Sequence, residues 1–167
     1  MRTALLVSHI AFGTIGLAVG PLAMRAPKRQ GTHTRLGVMY QVVAFGLCST
    51  ALGLVVFHPA VWPLALIAVA TELAALAGWR VRRRRRPGWL PIHIGLMCGS
   101  YVSCVTAFLV VNLQGSMIPW VLPTLIATPL ITRAANQARA MDRAQLDLAR
   151  ANPDLIRHDR YDVGPAG

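Results

Sequence analysis

Six side chains in this sequence are of types that do chemistry in an apolar setting: His9, His33, Tyr40, Glu72, His93 and Tyr101. An imidazole can ligate a metal or carry a proton near neutral pH, and a phenol can donate a hydrogen bond from an otherwise apolar wall. Glu72 stands apart as the only acidic residue in the first 141 positions, since all five aspartates lie at or beyond Asp142. A carboxylate at mid-bilayer costs roughly 2.5 to 3.5 kcal/mol on insertion scales, so Glu72 is expected to be neutral, paired or in contact with water. His9 interrupts an apolar core in the same way. Together these groups point to acid–base or redox chemistry inside a membrane.

The elements that must position them are apolar runs of spanning length. Trp89 to Asn112 is the clearest, and its His93, Met97, Ser100, Tyr101, Cys104 and Phe108 recur at helical spacing on one face. A helix facing lipid has no use for a stripe of imidazole, hydroxyl and thiol, so this face is expected to look into a bundle or a cavity. Before it come runs over residues 3–24, 36–57 and 62–80; after it comes a shorter run, 117–132, carrying Pro119, Pro123 and Pro129. The expected fold is therefore all-α, a polytopic membrane helix bundle of about five spans, with a four-helix core plus a Pro-rich fifth. Residues 1–132 would form that bundle, and residues 133–167 a cytoplasmic amphipathic helix and a flexible tail. Thr32 or Thr34 is available to cap the second helix.

Charge placement decides between membrane and nucleic acid. A net charge of +11 would suit a nucleic-acid binder, but the Lys and Arg fall in alternate connections. Four lie between Arg25 and Arg35, six between Arg80 and Arg86, and six from Arg133 onward, whereas the connections at His58-Pro59 and Gln114 to Ser116 have none. That alternation is the positive-inside pattern for an odd number of spans, with the N-terminus outside and the C-terminus cytoplasmic in a cell inner (plasma) membrane. It explains the arginine run without nucleic acid. The first run could also be a signal peptide, but the basic cluster behind it and His9 within it argue against export. Cys48, Cys98 and Cys104 sit inside apolar runs with no metal-ligand spacing and read as packing residues.

A rise of about 1.5 Å per residue sets depth: Tyr40 and His93 lie about 6 Å, Glu72 about 12 Å and Tyr101 about 18 Å in from the basic ends. A cluster of Glu72, His93, Tyr40 and Tyr101 in the inner half, with His9 above it, is sterically allowed. Plainer readings compete with it. His93 could cap its helix, His33 could be solvated, His58 beside Pro59 at an outer turn could be inert, and both tyrosines could bond backbone carbonyls. Gly16 and Gly20 have the spacing that lets helices pack closely.

The order of motifs resembles a family. His9 followed by GTIGLAVGPLAM, then His33-Thr-Arg-Leu-Gly37-Val-Met-Tyr40, then His93, Met97, Ser100, Tyr101, Phe108 and Asn112 is similar to the bacterial membrane proteins grouped as domain-of-unknown-function family 2306. That resemblance covers roughly residues 5–113 and implies a multi-helix bundle with intramembrane histidines. In that family a His-Arg pair commonly precedes the Gly and Tyr of the second helix, whereas here Thr34 intervenes. A more distant likeness is to cytochrome b561-type haem bundles, which implies haem b held by His33 and His93 as metal ligands. The third run, which offers Glu72 and no histidine, departs from that pattern.

The expected function is an intramembrane His/Glu/Tyr site for redox or acid–base chemistry on haem b or a lipophilic quinone-like molecule. The expected partners are the lipid bilayer, a lipophilic small molecule, and a homo-oligomer or larger membrane complex, with no nucleic acid. The alternatives are a proton-coupled transporter and a non-enzymatic accessory subunit. No nucleotide-binding loop, no HExxH and no placed nucleophile is present.

Overall fold

The computed structural model describes residues 1–27, 31–113 and 116–151. They form five helices: α1 (Arg2–Arg25), α2 (Thr32–Phe57), α3 (Trp62–Arg84), α4 (Trp89–Asn112) and α5 (Ile118–Ala151). Every one is long and apolar enough to cross a membrane, which suggests a multi-pass membrane protein. Prolines punctuate the chain between them. Pro27 holds Ala26 in an extended conformation and ends α1, and Pro59 follows His58, which has left the helical region at the end of α2. Pro63 and Pro91 occupy the first turns of α3 and α4, where a missing N–H costs nothing.

The helices pack as two antiparallel hairpins. α1 lies along α2 and α3 along α4; α2 meets α3, α1 meets α4 more narrowly, and the four close into a ring. Among the described residues α5 packs on α4 alone. The four-helix core with an appended fifth helix is as expected. Small residues line the interior: Ala44, Ala75, Thr71 and Ser100 are buried, whereas Phe45, Leu66, Leu73 and Leu125 are exposed on the periphery. This inversion is the one expected of a membrane helix bundle, whose helices approach through small side chains. At Gly20 the need is concrete, because the Tyr101 ring lies where a Cβ would be. The Gly16 and Gly20 spacing is a packing device.

Three boundaries differ from the sequence reading. α2 begins at Thr32, so His33 sits in its first turn, and its cap is Gly31 in the left-handed region (φ 73°), not Thr32 or Thr34. Thr34 instead accepts a hydrogen bond from Arg82 at 2.8 Å. α3 continues past Trp79 through the arginine run to Arg84, because nothing before Arg85 interrupts it. α5 runs unbroken across position 132, so the expected amphipathic helix is the continuation of the fifth helix and not a separate element. At about 1.5 Å per residue its 34 residues span roughly 50 Å, well beyond a hydrocarbon core of about 30 Å. The tail after Ala151 lies outside the described residues.

Candidate functional site

A cavity of about 800 Å³ occupies the half of the ring away from the basic loops. All four core helices line it, α1 through Leu6, His9, Ile10 and Gly13, and α4 through Cys104, Ala107, Phe108 and Val111. Each set recurs at helical spacing, so each helix presents one face to the space. Several of the polar residues in the wall are spent on their own backbone. Thr14 donates to the Ile10 carbonyl, Ser103 to Gly99 and Asn112 to Phe108. Besides the hydroxyl of Thr71 and the thiols of Cys48 and Cys104, the wall carries His9 and, at one end, Arg2 and His58.

His9 is held by α2. Its Nδ1 lies 3.1 Å from Thr50 Oγ1, while the Thr50 hydroxyl donates to the Gly46 and Leu47 carbonyls at 2.8 and 2.9 Å. The single hydroxyl hydrogen is thus committed to the backbone, so Nδ1 must supply the hydrogen of the His9–Thr50 bond and Nε2 is the acceptor of the neutral ring. At the end of the cavity Arg2 Nη2 donates to His58 Nε2 at 2.6 Å. A guanidinium has four further N–H donors, and Arg2 has no acidic partner among the described residues. An apolar chamber bordered at one end by an exposed cation without an acidic partner and by a histidine suits a lipophilic molecule with an oxygen-bearing head.

The other expected site residues are placed apart, each with its own partner. Tyr40 donates to Ser100 across the ring at 3.1 Å, with the Cys104 thiol beside the same hydroxyl. Tyr101 donates to the Leu17 carbonyl at 3.2 Å. Glu72 accepts from Gln41 at 3.1 Å. His33 and His93 do meet, at the basic end, with ring centres 6.4 Å apart and planes at 80°. Each gives its Nδ1 hydrogen to a carbonyl, His33 to Ala23 at 2.7 Å and His93 to Gly78 at 2.9 Å.

The spacing of that histidine pair is close to that of two axial ligands, which at about 2 Å per metal–imidazole bond stand with ring centres about 6 Å apart. The surrounding packing does not fit a haem. Leu36 and Met97, each within about one turn of a histidine, pack against the buried cluster of Val19, Tyr40 and Ala44. The Tyr40–Ser100 bond then ties α2 to α4 two turns deeper. A porphyrin plate needs an open slot far wider than two facing rings, and neither histidine lines the cavity described above. The pair acts as a brace at the mouth of the bundle.

Arg2 is not picked out from the sequence as a site residue, and His58 reads there mainly as an inert outer-turn residue. Their signal lies in the antiparallel pairing of α1 with α2, which sets residue 2 against 58, 9 against 50 and 23 against 33. No family model, curated protein or solved structure matches the chain.

Proposed function

We propose that this is a multi-pass plasma-membrane protein that binds a lipophilic, quinone-like small molecule in the cavity and exchanges a proton with its head through His9. The observation that carries this reading is the pairing of an apolar chamber with Arg2, a cation lacking an acidic partner among the described residues, at one end. Arg2 supplies donors for a carbonyl or anionic oxygen, and its bond to His58 fixes the direction of the guanidinium. Thr50 orients His9 so that Nε2 is the proton acceptor. The basic loops set the orientation, with the cavity in the outer half and the basic ends in the cytoplasm.

A short-chain ubiquinone analogue added to detergent-purified protein tests it by thermal unfolding. At a free concentration a hundredfold above its dissociation constant, stabilisation of about 2.7 kcal/mol is expected. Ala107→Trp, which fills the chamber, should remove the shift. Arg2→Gln should weaken binding about tenfold, the worth of one charged hydrogen bond. An unshifted wild type, or an equal shift in Ala107→Trp, would overturn the proposal.

A further inference from the structure

Glu72 and Gln41 lie outside the mechanism just described, on the joint between the two hairpins. Glu72 belongs to α3 and Gln41 to α2, and Gln41 Nε2 donates to Glu72 Oε1 at 3.1 Å. The remaining oxygen of each group, Gln41 Oε1 and Glu72 Oε2, is buried and has no hydrogen-bond partner among the described residues. Both are acceptors if the carboxyl is ionised, so nothing in the pair can satisfy either of them. Buried polar atoms are almost always bonded, and two orphans on one interacting pair need a common explanation.

One hydrogen on Glu72 supplies it. A protonated Oε2 donates to Gln41 Oε1 while Gln41 Nε2 donates to Glu72 Oε1, and the side chains close a ring of two hydrogen bonds. Turning the amide over does not remove the need, because its oxygen would then face the carboxyl and again require a hydrogen from it. A metal ion fits worse. Two oxygens fall far short of the six to eight that a hard cation gathers, and no group of three or more metal-binding side chains occurs among the described residues. A basic partner is also lacking, since the one ion pair among the described residues joins Arg150 to Asp147.

We propose that Glu72 and Gln41 form a proton-binding site within the membrane, in which the bound proton clamps hairpin α1–α2 to hairpin α3–α4. The step is protonation alone: the carboxylate takes a proton from water, no electrons move, and release returns it. Among the described residues, two thiols interact with Glu72, Cys48 from α2 and Cys104 from α4. The Pro59–Val61 turn has no titratable side chain, and α1 does not reach α3. Loss of the proton would leave a charge beside an amide oxygen at the joint, so it should favour parting of the hairpins.

Infrared difference spectroscopy of the full chain in phosphatidylcholine vesicles reads this site directly. At neutral pH the expected result is a carbonyl band of a protonated carboxylic acid that Glu72→Gln removes and Gln41→Leu shifts. An absent band, a band surviving in Glu72→Gln, or one unmoved by Gln41→Leu would overturn the proposal. Should Glu72→Gln fail to fold, the band in wild type and its shift in Gln41→Leu decide the matter. Thermal unfolding against pH is a second measure. The wild type should lose stability as rising pH strips the proton, while Glu72→Gln, whose amide keeps two bonds to Gln41, should lack that loss. Neither measurement uses the cavity ligand, so this site and the ligand reading stand or fall separately.

Discussion

The Tyr40 hydroxyl donates to Ser100 Oγ, because the Ser100 hydrogen is already given to the Met97 carbonyl. Both side chains are buried, so the two ends of this bond are unequal. Tyr40→Phe removes a donor and leaves Ser100 bonded to its backbone, and a loss of about 1 kcal/mol is expected. Ser100→Ala strands the Tyr40 hydroxyl and should cost about 1 to 3 kcal/mol. Thermal unfolding of both variants checks the order; a cheaper Ser100→Ala would show that the Cys104 thiol takes over as acceptor. Individual residues were legible wherever polarity broke an apolar run, as His9, Glu72 and the Trp89 to Asn112 stripe did. Their partners were not, since Gln41 and Thr50 become meaningful only when the neighbouring helix is known, and helical periodicity reports a face without saying what it faces.

At the scale of elements, the contact of α1 with α4 depends on the Tyr101 ring lying flat on Gly20. Gly20→Leu should push the two helices apart and lower stability by about 1 to 3 kcal/mol. Combined with Tyr101→Ala it should cost less than the sum of the single changes, which a double-mutant cycle of unfolding midpoints would measure. An additive result would place the strain elsewhere. Span positions were readable from length and hydropathy, whereas the unbroken course of α5 was not, because Pro123 and Pro129 signal interruption in water. In a membrane-type helix a carbonyl freed by proline has other remedies, from neighbouring helices, hydroxyl side chains or local adjustment of the backbone.

For the whole molecule, charge asymmetry is the feature from which an orientation is predicted. The arginine run ends α3 and α5 carries Arg133, Arg139, Arg143 and Arg150 from its middle onward, while the connection at Pro59 to Val61 carries no charge. With the three native cysteines replaced, a single cysteine at Ala60 should react with a membrane-impermeant maleimide in intact cells, and one at Gly88 only after permeabilisation. The reverse pattern would turn the cavity toward the cytoplasm. The bundle as a class was legible because hydrocarbon demands closed backbone hydrogen bonding. The division of the polar residues into a cavity, a brace and a carboxyl–amide pair was not, since it depends on which diagonal each helix takes. The narrow seam between α1 and α4 bears on how the chamber is filled. The two helices meet where Tyr101 reaches Gly20 and Leu17, and toward the other end both line the chamber. If the proposed lipophilic molecule enters sideways through that seam, it arrives from oil, not from water. Occupancy then follows its mole fraction in the surrounding lipid, so diluting the protein into more bilayer at fixed total ligand should empty the site even though the aqueous volume never changes.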